Sequence, residues 1–314
     1  MNKQNFVGVD THKDTLACYK QGDFKEFKTT QKGFQEALHW AGKAKWAVEG
    51  AYCFGRPFSA FLIKNGVDVY EVNPLLTKTW RGALSVSNPK NDYGDAKVIS
   101  LFAETSNLQK VSLETIKLKE KITARESLVK QKTEITNSLK MLFLTRGETT
   151  PFKGFTTNKA IKWFENNGDM IVKIKVKVLK ELLLGIEALE NEIKMTLPKK
   201  AEKLKQLKGI SDITAAIIYT ETKGKLYTAS KLASYAGIAP VEKSSGRTSR
   251  HRNNKSGNRI LNSIFYRLSI AQKRYDEKGK AYFEKKLSEG KSPRHARKCL
   301  SRQLVNLVFK LLRD

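Results

Sequence analysis

The stretch Phe6-Val7-Gly8-Val9-Asp10 decides the fold class of this chain. Its apolar run predicts a short buried strand, and the acid that closes it is then held at the strand's end and not in open solvent. The run Lys45-Trp46-Ala47-Val48-Glu49 repeats the arrangement and is followed at once by Gly50. Each of the two predicted strands therefore carries a carboxylate to the end of a hydrophobic segment.

Two further acids lie in the segment 90–97, where a helix is predicted to begin. Asp92 and Asp95 are three residues apart, a spacing that puts both on one helix face. Each acid taken singly is also explained as a solvated surface charge or a helix N-cap. Four acids at element ends, in this order, favour one shared site, because a carboxylate cluster is tolerable only where a cation neutralises its repulsion.

Carboxylate oxygens are ligands typical of Mg²⁺ or Mn²⁺. Two such ions about 3.5–4 Å apart stabilise the attacking and leaving oxygens of a phosphodiester displacement. We therefore predict that the catalytic and metal-binding residues of a nuclease-type reaction are Asp10, Glu49, Asp92 and Asp95. The predicted cofactor is Mg²⁺, with Mn²⁺ as a substitute.

Strand and helix patterns alternate over the first 105 residues. Strands are predicted at 6–9, 15–20, 23–28, 46–49 and 67–72, and helices at 33–44, at 54–65 and from residue 92. Three early strands followed by alternating units predict a mixed sheet of the α/β class. The alternation also fits nucleotide-binding folds, but no glycine-rich phosphate fingerprint follows the first strand, which argues against a dinucleotide fold.

The segment 107–205 is predicted to be helical and highly charged, with apolar residues at heptad-like spacing. One stripe contains Leu118, Ile122, Val129, Ile135, Leu139 and Leu142, and a second contains Leu182, Ile186, Leu189 and Ile193. A break is predicted at 147–167. The two stretches form either an antiparallel hairpin or a dimer interface, and we favour dimerisation.

The charge balance predicts a polyanionic partner. The 314 residues carry 59 Lys and Arg against 31 Asp and Glu, a formal charge of +28. Residues 241–314 alone carry 20 basic and six acidic side chains. A membrane partner is not predicted, since no long apolar run and no signal-peptide pattern is present. We therefore expect a cytoplasmic, nucleoid-associated bacterial protein. The scattered Cys18, Cys53 and Cys299 predict neither disulfides nor a zinc site.

Two features of the last third of the chain bear on nucleic-acid binding. The segment 207–218 has a glycine turn before a predicted helix, as in the helix-hairpin-helix module, although a glycine loop between two buried helices explains it equally well. Ser244-Ser245-Gly246 leads into a predicted basic loop at 247–259. Such a serine is either a nucleophile on a bound phosphate or an ordinary turn residue. Predicted nucleic-acid contacts are Arg247, Arg250, Arg252, Lys255 and Arg259.

Taken together, the motifs resemble those of the DEDD transposases of the insertion-sequence 110 family, also called bridge recombinases. The resemblance covers nearly the whole chain, and the motifs occur in the family's order. They are Asp-Thr-His-Lys at the first strand, Glu49, Lys-Asn-Asp-x-x-Asp-Ala, Gly-Ile-x-x-x-Thr-Ala-Ala, Tyr-Ala-Gly-Ile-x-Pro, Ser-Ser-Gly and Ser-Gly-Asn-Arg.

The resemblance implies a fold, a reaction and partners. It implies a ribonuclease-H-like (RuvC-like) α/β domain at 1–106, a helical coiled-coil region for dimerisation at 107–203, and a basic, mainly α C-terminal transposase domain at 204–314. The four acids match the family's metal ligands, and Ser245 matches its nucleophilic serine, with Ser244 as the fallback. The serine would form a transient covalent link to DNA, and the metal site and the serine would come from different subunits.

The implied partners are donor and target DNA, a structured guide (bridge) RNA whose loops pair with both DNAs, and further copies of the chain in a dimer or tetramer. Base pairing would then supply the sequence specificity. Two departures from the family pattern concern the site: Tyr93 and Gly94 lie between Asp92 and Asp95, and 50–52 read Gly-Ala-Tyr. The alternatives are a stand-alone RuvC-like, structure-specific nuclease without serine chemistry, and an inert nucleic-acid-binding protein.

Overall fold

The chain folds into two compact units that are each assembled from separate segments. The computed structural model describes residues 5–42, 44–50, 54–72, 77, 80–81, 91–106, 108, 110–222, 228–245, 248–254 and 257–313, with the backbone alone at 241–245 and 248–253. One unit contains Met1–Lys117, Thr220–Phe265 and Ser301–Lys310. The other contains Leu118–Tyr219, Tyr266–Leu300 and Leu311–Asp314.

A five-stranded mixed sheet forms the centre of the first segment. Its strands are β1 (Phe6–Thr11), β2 (Thr15–Lys20), β3 (Asp23–Lys28), β4 (Lys45–Glu49) and β5 (Val69–Val72), in the order β3-β2-β1-β4-β5. The pairs β1–β2 and β2–β3 are antiparallel, whereas β1–β4 and β4–β5 are parallel. The predicted mixed sheet with helices is therefore confirmed.

The two faces of this sheet bury different sets of side chains. Helices α1 (Gln31–Ala41) and α2 (Arg56–Lys64) cover one face, where Val9 and Val48 join an apolar cluster with Phe34. Helix α3 (Asp92–Thr105) covers the other face, where Phe6 and Ala47 contribute to a cluster with Ile99 and Ala103 of the helix. Alternate residues of β1 and β4 thus point to opposite helical layers.

Residue 8 is glycine, and this allows the backbone of helix α3 to lie directly against the backbone of strand β1. A Cβ atom at Gly8 would lie 2.2 Å from the carbonyl oxygen of Ala96 and 2.4 Å from the amide nitrogen of Ser100. The Ser100 hydroxyl also donates to the carbonyl oxygen of Phe6 at 2.9 Å. These contacts fix the height and rotation of α3 above the strand.

The central helices form an antiparallel hairpin within the chain. Helix α4 (Leu113–Thr145) pairs with α6 (Met170–Met195), and α5 (Asn158–Asn167) lies between them in sequence. Arg125 forms an ion pair with Glu190 at 2.6 Å, and near the other end Arg146 pairs with Asp169 at 2.8 Å. Both predicted stripes are buried or half-buried. The internal hairpin is therefore present, and the dimer interface stays a prediction.

The predicted break at 147–167 is interrupted by helix α5, which the prediction missed. Thr157 caps the helix by accepting from the amide of Ala160, and Ile161 and Phe164 pack against Phe143. This short helix is stabilised by tertiary packing more than by its sequence, which ends in Asn166-Asn167.

The last part of the chain is mainly helical, with one hairpin. It contains α7 (Lys199–Glu202), a 3₁₀ turn (Lys203–Gln206), α8 (Asp212–Thr222), α9 (Ala229–Tyr235), β6 (Pro240–Ser245), β7 (Thr248–Asn253), α10 (Arg259–Tyr275), α11 (Glu277–Ser288) and α12 (Pro293–Arg313). The prediction of a loop from 247 to 259 was wrong for residues 248–253, because they form β7, which pairs antiparallel with β6. Residues 247, 255 and 256 lie outside the described residues.

Cys18 and Cys299 carry free thiols, and Cys53 lies outside the described residues. Among the helices of the described part, none combines the length and the hydropathy that a bilayer crossing requires.

Candidate active site

Strands β1 and β4 bring Asp10 and Glu49 to the same edge of the sheet. The strands are parallel neighbours, and Val9 pairs with Val48, so the next residue on each strand is an acid at its carboxyl end. The Thr11 hydroxyl donates to the carbonyl oxygen of Glu49 at 3.2 Å. Because Val9 and Val48 face α1 and α2, both acids point to the face that α3 covers.

Helix α3 supplies the other two predicted acids from its first turn. Asn91 caps the helix, and its side-chain oxygen accepts from the amide of Gly94 at 2.7 Å. Asp92 and Asp95 follow in the first turn, as their i, i+3 spacing predicts. Carboxylates are favourable at a helix N-terminus, because the helix dipole places partial positive charge there.

His12 completes a cluster that sequence reasoning missed. Its Nε2 lies 3.4 Å from Asp10 Oδ2 and 3.3 Å from Asp92 Oδ1. One ligand atom from each of Asp10, His12 and Asp92 falls within 4.8 Å of the others. The signal that would have found His12 is its position two residues after Asp10 in the Asp-Thr-His-Lys motif.

Two side chains of the site are buried and form its floor, Asp10 and Asp95, and two are partly exposed and form its rim, His12 and Asp92. The side chains of Asp10 and Asp95 are 12% and 10% exposed, whereas those of His12 and Asp92 are 44% and 49% exposed. The floor can therefore hold charges away from bulk water, and the rim is accessible to a large substrate such as a nucleic acid.

The pKa values of the two strand acids are raised by burial and by nearby negative charge. Burial raises the pKa of Asp10, nearby His12 opposes this shift, and the negative charges of Asp95 and Asp92 add to it. Burial likewise raises the pKa of Glu49, a hydrogen bond from Thr77 opposes the shift, and Asp10 and Asp95 raise it further. Asp10 and Glu49 therefore lie within range of the negative charges of the helix acids, and a bound cation would offset that repulsion.

Two polar partners outside the predicted set hold the inner acids. The Thr77 hydroxyl donates to Glu49 Oε1 at 2.7 Å. Arg81 forms an ion pair with Asp95 and offsets part of the negative charge on the floor. The sequence did not indicate a role for either residue. Both belong to a segment that is distant from Glu49 in sequence and that has no regular spacing of apolar residues.

The donor set fits a hard divalent cation. Carboxylate oxygens from two strands and one helix converge, and burial together with the neighbouring negative charges raises the pKa of the two strand acids, Asp10 and Glu49. A divalent ion would remove that penalty and would be accessible from the open rim.

The predicted serines lie on a strand and not in a loop. Ser244 and Ser245 are the last residues of β6, with Ser244 paired to Ser249 and Ser245 paired to Thr248 of β7. Ser245 is therefore the last residue of β6 and pairs with the first residue of β7. Only the backbone of both serines is described.

A polar cluster anchors the base of this hairpin, and sequence reasoning gave its members no such role. The Asn258 side-chain amide donates to Glu221 Oε2 at 2.6 Å and to the Tyr235 hydroxyl at 3.1 Å. The backbone N–H of Asn258 donates to the backbone carbonyl of Tyr235 at 2.6 Å. Gly237 and Gly257 approach so closely that a Cβ on Gly257 would lie 2.4 Å from Gly237 Cα. The Tyr-Ala-Gly and Ser-Gly-Asn motifs thus meet where the hairpin begins.

The predicted nucleic-acid contacts fall in or next to the hairpin. Arg250 and Arg252 are residues of β7 with only the backbone described, and Arg259 is the exposed first residue of α10. Arg247 and Lys255 lie outside the described residues.

Two family models match the chain. A model described as a transposase, of the DEDD type of IS110, matches residues 7–145, which contain all four acids and His12. A model of the transposase IS116/IS110/IS902 family matches residues 201–284, which contain the serine hairpin and its anchor. The DEDD match and the acidic cluster together indicate the use of a divalent metal ion.

Two curated proteins are similar over about a third of the chain. The uncharacterized 43.6 kDa protein of insertion element IS110 from Streptomyces coelicolor is 36% identical over 115 residues, which are 35% of this chain and 28% of the relative. The uncharacterized 42 kDa protein of insertion element IS900 from Mycobacterium paratuberculosis is 31% identical over 119 residues, or 36% and 30%. The aligned segments span less than a third of either relative.

Proposed function

Because this chain belongs to the IS110 family of transposases, we propose that it is the DNA transposase of an insertion sequence and cuts and rejoins DNA. The observation that carries the proposal is the convergence of Asp10 and Glu49 with Asp92 and Asp95 beside an open rim. Acids on parallel strand ends and a facing helix are typical of a ribonuclease-H-like nuclease core, and the sheet order supports that fold for residues 1–106.

We propose Mg²⁺ as the resident cation, with Mn²⁺ as a substitute. The residues that would hold it are Asp10, Glu49, Asp92 and Asp95, since hard carboxylate oxygens are its preferred ligands. When bound, the cation polarises the phosphate and stabilises the negative charge that develops during displacement.

The chain's own residues have distinct tasks around that site. Asp10, largely buried on β1, and Asp95, held by Arg81, form the fixed floor. Asp92 and His12 lie at the rim, where a DNA phosphate would approach. The Thr77 hydroxyl orients the Glu49 carboxylate through its hydrogen bond. A preorganised set of this kind lowers the cost of assembling charges at the moment of reaction.

Ser245 is the proposed nucleophile, with Ser244 as the alternative. Its oxygen forms a bond to the DNA phosphorus and loses its proton, while the bond from phosphorus to one sugar oxygen breaks and that oxygen gains a proton. Attack by a sugar hydroxyl of the partner strand reverses these changes and releases the serine. The position of Ser245 at the end of β6 supports a role in reaching a bound strand.

The remaining basic surface is proposed to hold nucleic acid. Residues 241–314 carry 20 basic and six acidic side chains, and this excess supports phosphate contacts by Arg247, Arg250, Arg252, Lys255 and Arg259. We propose that a structured guide RNA supplies the sequence specificity, and that a dimer or tetramer joins the metal site of one subunit to the serine of another. The central region 107–203 is the proposed dimerisation region.

The test uses the purified full chain, RNA transcribed from the DNA that flanks its gene, matching donor and target duplexes, and Mg²⁺. A denaturing gel separates a protein–DNA adduct from free cleaved ends. We expect an adduct with the wild type, none with Ser245→Ala, and no cleavage with Asp10→Asn. Ser249→Ala, on the neighbouring strand, is the control.

The two alternative functions predict different products on the denaturing gel. Free cleaved ends that Ser245→Ala leaves unchanged would identify a stand-alone nuclease without serine chemistry. Binding without cleavage, insensitive to Asp10→Asn, would identify an inert nucleic-acid-binding protein.

A further inference from the structure

His12 lies where a nitrogen ligand of the site's cation would lie. Its Nε2 is almost equidistant from Asp10 Oδ2, at 3.4 Å, and Asp92 Oδ1, at 3.3 Å. Both separations exceed the 2.7–2.9 Å or so of a charge-assisted hydrogen bond. Neighbouring ligands of an octahedral ion with bonds of about 2.1 Å lie about 3 Å apart, so both His12 distances suit atoms that share an ion. One ligand atom from each of the three residues lies within 4.8 Å of the others.

The backbone holds His12 in this position. The His12 amide donates to the Thr15 carbonyl at 2.9 Å and closes the tight turn between β1 and β2. The Thr29 hydroxyl donates to the His12 carbonyl at 3.4 Å. His12 directly follows the last residue of β1, and this anchoring holds its imidazole beside Asp10 and Asp92.

We propose that His12 is a direct ligand of the cation held between Asp10 and Asp92, and that it biases the site toward Mn²⁺ over Mg²⁺. This inference rests on the proposed function and extends its oxygen-only ligand set by one nitrogen. Mn²⁺ occupies the same oxygen-rich sites as Mg²⁺ but accepts an imidazole nitrogen more readily, because Mg²⁺ demands oxygen ligands and retains its waters. Loss of His12 therefore weakens Mn²⁺ binding more than Mg²⁺ binding.

The test is pulsed electron paramagnetic resonance of Mn²⁺ bound to the full chain. Wild type is expected to show hyperfine modulation from imidazole ¹⁴N, and His12→Ala is expected to lose it. His39→Ala is the matched control, since His39 is exposed in the last turn of α1. His12→Gln, which keeps a polar side chain, is expected to lose the modulation as well, and circular dichroism establishes that both variants are folded.

Affinity supplies the second readout. By titration, His12→Ala is expected to bind Mn²⁺ about tenfold or more weakly, with a smaller change for Mg²⁺. Modulation that persists in His12→Ala, a wild type without it, or equal loss of affinity for both ions would overturn the inference.

The variant Asp10→Asn distinguishes a wrong assignment of His12 from a wrong proposed function. If Asp10→Asn loses Mn²⁺ binding while wild type lacks the nitrogen signal, the acidic site stands and only the role of His12 is wrong. If Asp10→Asn binds Mn²⁺ as wild type does, the acidic site itself is wrong, and with it the proposed function.

Discussion

Gly8 of β1 lies directly against Ala96 of α3, so closely that a Cβ at residue 8 would be 2.2 Å from the Ala96 carbonyl oxygen. The same helix carries Asp92 and Asp95, and the same strand carries Asp10. This backbone contact therefore sets the distance between the acids of the strand and the acids of the helix.

Gly8→Ala is expected to displace α3 and to impair the site. The added methyl group meets backbone atoms that cannot rotate away, so we expect a loss of about 1–3 kcal/mol in the free energy of unfolding and a marked loss of Mn²⁺ affinity. Denaturant unfolding and metal titration measure the two effects. Gly154→Ala is the control, since no atom lies within 4 Å of a Cβ there. Equal behaviour of the two variants would contradict the packing argument.

Asp10→Asn is expected to stabilise the metal-free protein at pH 7 while it removes catalysis. The pKa of Asp10 is raised in the fold, so its stabilising contribution is greatest at low pH and is lost as the pH rises through the folded-state pKa. Removing the charge should raise the free energy of unfolding by roughly 1 kcal/mol at pH 7 and change it little near pH 3. Denaturant unfolding at both pH values, with chelator present, checks the sign. A destabilised variant at pH 7 would count against a repulsive cluster.

Thr77→Val is expected to shift the acidic limb of the activity profile to higher pH. The Thr77 hydroxyl stabilises the ionised Glu49 carboxylate, so its loss raises the pKa of Glu49 further. Protons then compete with the cation at higher pH than in the wild type. DNA cleavage measured across pH values tests this, with Thr123→Val as the control, because that hydroxyl bonds only to its own helix at Lys119 among the contacts described. An unshifted limb would mean that Glu49 does not take part.

Asn258→Ala is expected to reduce serine adduct formation without weakening metal binding. Asn258 holds Glu221, Tyr235 and the first turn of α10 together at the base of the serine hairpin. Its loss leaves a largely buried Glu221 without that donor, at a cost of about 1–3 kcal/mol. Asn167→Ala, at an exposed helix end, is the control. Normal adduct yield from a destabilised Asn258→Ala protein would show that the cluster has only a structural role.

Chelation at constant ionic strength is expected to stop chemistry and leave nucleic-acid binding in place. The proposed phosphate contacts lie mainly in residues 241–314, outside the acidic cluster, so binding should weaken with salt and not with chelator. Gel-shift measurements with and without chelator separate the two. Binding that disappears with chelator alone would place the main contacts at the metal site.

Much of the sheet and its acids could be predicted because their signals are local. The apolar runs before Asp10 and Glu49 indicate buried strands, and parallel pairing then brings the two strand ends together. Thr77 and Arg81 could not be predicted, since their roles depend on contacts with Glu49 and Asp95 that no local pattern indicates.

The serine hairpin was missed for a related reason. Its strands are rich in Ser, Arg and Asn and lack alternating apolar residues, so the sequence favoured a loop. Pairing of β6 with β7 and the close contact of Gly237 with Gly257 produce strands where intrinsic preference does not.

The most direct test of one cation site shared by these residues is an anomalous diffraction map from crystals of the full chain soaked in Mn²⁺. We expect a peak about 2 Å from carboxylate oxygens of Asp10 and Asp92 and from His12 Nε2. A well-occupied Mn²⁺ peak elsewhere, or no peak at these residues when Mn²⁺-dependent cleavage is measured in the same preparation, would contradict it.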